Sequence, residues 1–559
     1  MHAYTRVTDG ICEVLSISGM RSYVSSVQQS RHRFILRGPH SRLRALSQGD
    51  FILDHCRNLT VMESLRKSPK AAADGQTMAK EEVPSQGPNE ETSLLSLPDD
   101  DLLSVLEYLS TPDLLSCRAV CHRLRDVALR PELWRRRSFG FGQGDLSTRS
   151  LQAAVLRLAP CASRLSMRFE GDSDALGTLA ATTRCAAVEL MLEVDDDPAR
   201  LDAAKLAIRN QAALGMLRTL QVYMEVYRTN DGHVFADLLA EAFSTQGLTR
   251  LVVVVLAIME WPVGAGPAPP IPASIKEVAL TDVDPRFVHC VLRSHAATLQ
   301  AVQLWGDCQG VAPLLAAIPG LQRLECPVME DLPLVAKCAS LRSLNLTVKD
   351  CKDSAVEAAS QATAAAFLRA ATHLEELQLR YGCHRLVPVE QGLLTVLASS
   401  GRAALRKLDF TYLPQPGLNG RLEMELASAL LGLPALEWLI LSNAVSWRVL
   451  ASIHAGRMPR LRGLSIPGYY RMTETWCAHA AMHEPDVCRV LASYSHFFLV
   501  VRNSLCGEER RCEHCAKGCH AVPWPTGETL VGFYTHEAPG TEAVDGLSWG
   551  FPCETWMKV

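Results

Sequence analysis

One phrase, Leu-x-x-Leu-x-Leu, returns along this chain from about residue 151 onward, and no other feature constrains the fold as strongly. Its clearest copies are Leu299-x-x-Val302-x-Leu304, Leu321-x-x-Leu324-x-Cys326 and Leu341-x-x-Leu344-x-Leu346. Leu374-x-x-Leu377-x-Leu379, Leu405-x-x-Leu408-x-Phe410, Leu436-x-x-Leu439-x-Leu441 and Leu461-x-x-Leu464-x-Ile466 follow. Weaker copies precede them at Val188-x-Leu190, Leu217-x-x-Leu220-x-Val222, Leu248-x-x-Leu251-x-Val253 and Ile275-x-x-Val278-x-Leu280. The last two apolar positions alternate, as a strand with one buried face requires. Ala- and Leu-rich stretches such as Ser354 to Ala371, Leu422 to Leu433 and Trp447 to Ala455 read as helices between the copies. Trp261 to Pro272 is rich in Pro and Gly and is predicted to be a loop.

A short strand and then a helix, repeating every 20 to 33 residues or so, resembles the leucine-rich repeat. A solenoid of that class lays its strands side by side on a concave face, so the resemblance implies that the x residues point out of it. They include Gln303, Gln322, Arg323, Arg342, Ser343, Glu375, Glu376, Gln378, Arg406, Lys407, Glu437, Trp438 and Arg462. Of these, Arg323, Arg342, Glu376, Gln378, Arg406, Trp438 and Arg462 are the candidate contacts to a target protein, because Arg and aromatic anchors carry most interface energy. A merely solvated sheet face is the alternative. Only Asn443 supplies the asparagine that the repeat class places after its strand.

Leu94 to Arg137 reads differently. Asp99, Asp100 and Asp101 follow Leu97-Pro98, a helix start that suits both proline and the dipole. Leu102, Leu103, Leu106 and Leu109 form a stripe behind it. Thr111-Pro112-Asp113 reads as a second start with a capping residue, and Pro131 opens a short third segment. The order Leu97-Pro98, Leu102-Leu103, Leu106, Leu109, Leu114-Leu115, Val120-Cys121 and Leu133-Trp134 resembles the F-box, with Leu124 where that family often has tryptophan. The resemblance implies docking of these twelve residues on the Skp adaptor, and through it on cullin and RING subunits of a ubiquitin ligase. The expected fold is therefore α/β: a three-helix F-box at 93–138, a Gly-rich hinge at 139–150 and an irregular leucine-rich-repeat solenoid at 151–467. The expected role is a non-catalytic receptor that brings a target protein to ubiquitination. A scaffold without degradation, or a zinc-binding interaction protein, is the alternative.

Residues 1–92 are expected to be an unstructured arm and linker, and Met62 is a second candidate start. The tail from 468 to 559 has a strand candidate at Phe497 to Val501 and a cluster of Cys506, Cys512, Cys515 and Cys519. Cys512-x-x-Cys515 suits a structural zinc, with reduced thiols as the alternative; no cofactor is otherwise required. Asp195-Asp196-Asp197 reads as a solvated turn. A net charge of −4 gives no general attraction to nucleic acid or acidic membranes. The longest apolar run, Leu251 to Met259, is too short to span a bilayer. The 19 cysteines lack the framework of a small secreted scaffold, which fits cytoplasm or nucleus. No hydrolase, metalloprotease or phosphate-loop motif occurs.

Overall fold

The computed structural model describes residues 94–141, 146–169, 174–225, 232–256, 273–348, 354–381, 392–399, 404–412, 419–441, 447–467, 469–471, 474–475, 483–502, 531–534 and 555–558. Two units are distinguished: Met1–Ser96 with Leu109–Ser116, and Leu97–Tyr108 with Cys117–Val559.

In the first unit the helix Thr111–Cys117 begins at Ser110, whose Oγ donates to Asp113 Oδ2 (2.6 Å) while the Asp113 N–H returns to it (3.4 Å). Ser110, rather than Thr111, is therefore the cap. Leu114 is buried, whereas Leu109 and Leu115 are half-exposed.

The second unit opens with α1 (Asp99–Glu107) and α3 (His122–Ala128), numbering Thr111–Cys117 as α2. Asp99, in the first turn of α1, accepts from Arg123 (2.8 Å) and Arg130 (2.6 Å). Chiefly through the Arg123 hydrogen bond, these guanidiniums hold its carboxyl below the usual carboxylate range. Leu102 and Leu106 of α1 are buried, as are Leu124, Val127 and Ala128 of α3; Leu124 thus lies in the core. Trp134 is fully buried, donates from Nε1 to the Ala128 carbonyl (2.7 Å) and lies 6.1 Å from the Phe139 ring.

Phe139 already belongs to the sheet. Its strands are β1 (Ser138–Phe141), β2 (Cys161–Phe169), β3 (Ala186–Asp195), β4 (Thr219–Glu225), β5 (Arg250–Leu256), β6 (Glu277–Thr281) and β7 (Ala301–Trp305). Then come β8 (Arg323–Pro327), β9 (Ser343–Val348), β10 (Glu376–Tyr381), β11 (Lys407–Tyr412), β12 (Trp438–Leu441) and β13 (Gly463–Pro467). A small separate pair, β14 (Tyr469–Arg471) and β15 (Glu474–Thr475), precedes β16 (Phe498–Arg502), β17 (Val531–Tyr534) and β18 (Thr555–Lys558).

In space the main sheet keeps the chain order β1 to β13, then β16, β17 and β18. All its pairs are parallel except β16 with β17. Parallel neighbours in unbroken sequential order, with the right-handed crossovers that such pairs adopt, put the described connecting helices on one face. Those helices therefore cover the face that carries the Leu positions, and among the described residues no helix lies on the other face. Leu344 and Leu346 of β9, Leu377 and Leu379 of β10, and Leu408 and Phe410 of β11 are at most 2% exposed.

Two expected boundaries change. The hinge expected at 139–150 is instead β1, which ends at Phe141, and the start of a helix, Leu146–Leu158. Ser138 and Phe139 pair with Arg164 and Leu165, and β pairing overrides the flexibility of the lone Gly140. The repeats also do not stop at 467: the helix Pro485–Ser493 and β16 add one more unit, parallel to β13. Trp261 to Pro272, Asn443 and the four candidate zinc cysteines lie outside the described residues. Asp197 caps the helix Pro198–Leu214 by accepting from the Ala199 N–H, and Asp195 pairs with Arg200. No described helix is long and apolar enough to cross a membrane.

The helix Pro285–His295 ends on a buried imidazole, His295, whose Nδ1 accepts from the Ser274 N–H (3.3 Å). Burial pushes its pKa below the ordinary 6.5. The unfolded chain therefore binds the proton more tightly, and stability falls as pH drops below 6.5 toward the folded-state value. Between about pH 7.5 and about pH 5.5, wild type should lose more stability than His295→Gln. Denaturant midpoints at both pH values check this; equal losses would refute it.

Candidate functional site

Two surfaces of the chain expose side chains suited to binding. The first is the outer side of the helices at the start of the chain. Twelve residues there were expected to meet an adaptor. Leu102, Leu106, Leu133 and Trp134 of the second unit are at most 4% exposed, and Leu114 of the first unit is fully buried. Pro98 is exposed, and Leu97, Leu103 and Cys121 are half-exposed. Cys121 caps α3, its Sγ accepting from the Leu124 N–H (3.4 Å). The strongly exposed apolar side chains of the second unit's opening helices are Tyr108 (92%), Val120 (58%) and Val105 (44%). Only Val120 was expected. Val105 on α1 and Tyr108, the residue that caps its C-terminus, stand three apart, so a helical plot of the residues outside the Leu stripe would have shown them together.

Residues 94–140 match the family model described as F-box-like. These residues form an F-box-like domain. A comparison with curated proteins finds no match for the chain. The last part of the domain runs straight into the sheet: Arg137 accepts from the Ser163 N–H of β2 (2.8 Å), and the Pro131 carbonyl accepts from Cys161 Sγ (3.6 Å).

The second surface is the sheet face without helices. Register sorts its side chains into rows running across the strands. The first row holds Glu277, Ala301, Arg323, Ser343, Glu376, Lys407, Trp438, Gly463 and Phe498. Arg323 reaches over the small Ala301 to Glu277 (2.6 Å), Ser343 donates to Glu376 (3.0 Å), and Trp438 stacks on Phe498 across Gly463, which has no side chain to part them. Arg323, Glu376 and Trp438 thus share one line. Arg342, Arg406 and Arg462 do not: each immediately precedes a strand, at the edge of this face. Arg342 pairs with Glu375 (3.2 Å) and Arg406 with Glu437 (2.9 Å); the Arg406 hydrogen bond draws the Glu437 pKa down.

The second row holds Gln303, Glu325, Asn345, Gln378 and Asp409 on β7 to β11. Gln378 was expected to be a contact; at 6% exposure it is instead built into a polar network. Its Nε2 donates to Asp409 (3.0 Å), and Asn345 and Gln303 hydrogen-bond the Glu325 carboxylate. In the third row Arg380 pairs with Glu325 (3.2 Å) and lies 5.4 Å from the Trp305 ring centre. Trp305 stands three strands away from Arg380, so the guanidinium stem crosses β9 and β8 to reach it. Burial pushes the Glu325 carboxyl up and the Arg380 guanidinium down from their ordinary values.

Glu325, Asn345, Arg380, Asp409 and Trp305 were absent from the sequence candidates. A signal existed. The central x of Leu-x-Leu is polar in five successive copies.

Proposed function

We propose that this chain is the target-receptor subunit of a Skp–cullin–F-box ubiquitin ligase. The observation that carries the reading is the F-box-like domain at 94–140, which presents Val105, Tyr108 and Val120 to solvent and continues into β1 without a linker. F-box domains generally bind Skp-type adaptors, and exposed apolar side chains beside a small helical core suit such an interface. The bare sheet face is the surface for the target. Holding a target at a fixed site raises the local concentration of its acceptor groups, a contribution that needs no catalytic side chain in this chain.

The test is recovery of Skp adaptor on the tagged full chain. Tyr108→Ala with Val120→Asp should lower recovery by about 30-fold or more, the effect of losing an interface anchor. Circular dichroism of the sheet should not change. Undiminished adaptor recovery sinks the proposal. The same purification with and without proteasome inhibitor identifies the target as the protein recovered only under inhibition.

A further inference from the structure

The residue just before each late strand alternates in charge along the sheet edge: Arg342, Glu375, Arg406, Glu437 and Arg462 precede β9 to β13. Arg342 pairs with Glu375, and Arg406 holds Glu437 through two guanidinium nitrogens (2.9 Å each). The alternation then stops, because Phe497 rather than a carboxylate leads into β16. Arg462 is the last rung, and Arg460 adds a second guanidinium two residues before it. Both are exposed, and neither side chain has a hydrogen bond or an ion pair among the described residues. They line a cavity of about 400 Å³ that opens to solvent, and Glu437 shares it. The Glu437 carboxyl is held low first by the Arg406 hydrogen bond and then by the charges of Arg406, Arg462 and Arg460, so the two unpaired guanidiniums bear on one point. Tyr494 gives the cavity a fixed wall: it is buried, stacks 4.8 Å from the Phe497 ring and donates to the Met458 carbonyl (3.3 Å). Ser495 and His496 complete the lining and already have partners within the chain.

Over this edge the guanidiniums of Arg342, Arg406, Arg460 and Arg462 meet only the carboxylates of Glu375 and Glu437. Neighbouring charges do not cancel the excess. Glu376 and Lys407 face each other in the first row, and Asp486 pairs with Arg489. Glu484 stands before the first turn of the helix Pro485–Ser493, about 13 Å of helix away from Ser495. Beside the cavity, on the face without helices, Trp438 and Phe498 stack 6.3 Å apart across Gly463. Glu437 and Arg462 are the residues immediately before Trp438 and Gly463.

We propose that this cavity is a recognition subsite for an anionic side chain of the target protein, whose apolar neighbours lie on the Trp438–Phe498 pair. The inference rests on the reading of the bare face as the target surface. A guanidinium offers parallel N–H donors that fit a carboxylate or a phosphate. Arg406 is committed to Glu437, so Arg460 and Arg462 serve the incoming group. A cationic side chain meets repulsion there, and a neutral one leaves the excess charge uncompensated. The aromatic pair supplies apolar contact area of the kind that anchors interfaces.

The experiment uses full-length chain labelled with 5-fluorotryptophan. The Trp438 fluorine signal, assigned by its absence in Trp438→Phe, reports on the site. The probes are acetyl-Leu-Glu-Leu-amide, the same peptide with phosphoserine in place of glutamate, and the same peptide with glutamine. A saturable shift is expected with an anionic peptide, and about tenfold weaker binding with the glutamine peptide. The tighter of the two anionic peptides shows whether the group is a carboxylate or a phosphate. Arg460→Gln with Arg462→Gln should abolish the preference for charge. Glu437→Gln removes a like charge and releases Arg406, so it should tighten the anionic peptides several-fold, a gain that a purely structural Glu437 would not give. No saturable shift, an equal response to the glutamine peptide, a preference that survives the double arginine variant, or weaker binding in Glu437→Gln overturns the proposal. Adaptor recovery from the same preparations is read separately, so a failed subsite and a failed receptor reading give different results.

Discussion

Trp134→Ala is expected to loosen the F-box-like domain by about 3–5 kcal/mol, the cost of deleting a large buried aromatic. Trp134 is fully buried, and the cavity it would leave lies between the end of α3 and β1. The change also removes the indole N–H that donates to the Ala128 carbonyl at 2.7 Å. Trp134→Phe separates the two effects. It keeps most of the apolar area and leaves the carbonyl unmet, for about 1–3 kcal/mol. A chain of this length need not unfold in one step, so the measurement is local: amide hydrogen exchange across His122–Ala128. Exchange there should quicken by about 10²-fold or more in Trp134→Ala, with β9 to β11 unchanged. Unaltered protection of α3 would show that the tryptophan is not the keystone of the domain. Adaptor recovery should fall in parallel, because Val120 and Cys121 lie at the start of α3.

The repeat and the F-box pattern were both legible because each is written in local apolar spacing. Leu344 and Leu346, or Leu102 and Leu106, announce a buried face by period alone. Which Leu faces a partner and which faces the core was not legible. Leu133 and Trp134 look alike in sequence whether they dock or pack, and only burial decides. Gly140 misled for a related reason: its strand is four residues long, and the pairing of Ser138 with Arg164 that makes it a strand lies 26 positions away. The polar network was partly legible. Its row is visible as the polar residue between two apolar ones, but the contact of Arg380 with Trp305 spans three strands, and no spacing rule connects positions so far apart in the chain.

That network supplies the second large effect. Arg380 and Glu325 are 8% and 20% exposed and pair at 3.2 Å, and Asp409 also faces the guanidinium. Arg380→Met removes the guanidinium and the cation–π contact, and leaves a carboxylate in a site that already resists ionisation. The expected cost near neutral pH is about 3 kcal/mol, toward the lower end for breaking a buried pair, since Gln303 and Asn345 still donate to Glu325. The pH dependence follows from the raised Glu325 pKa. A folded-state value above the ordinary 4.5 means that the folded chain holds the proton more tightly. Stability is then greatest at low pH and declines as pH rises from the unfolded value through the folded one. Losing Arg380, which lowers this pKa, moves the folded value higher still and widens that window. The deficit of Arg380→Met against wild type should therefore be smaller at about pH 5 than at about pH 8. Denaturant titrations at the two pH values measure it, and an equal deficit at both would rule out a buried, uncompensated Glu325. Adding Glu325→Gln to Arg380→Met removes the charge but keeps an oxygen for the neighbouring amides. The double variant should recover the part of the loss that Glu325 carries and lose its share of the pH dependence, and the remainder belongs to Asp409, which also faces the Arg380 guanidinium.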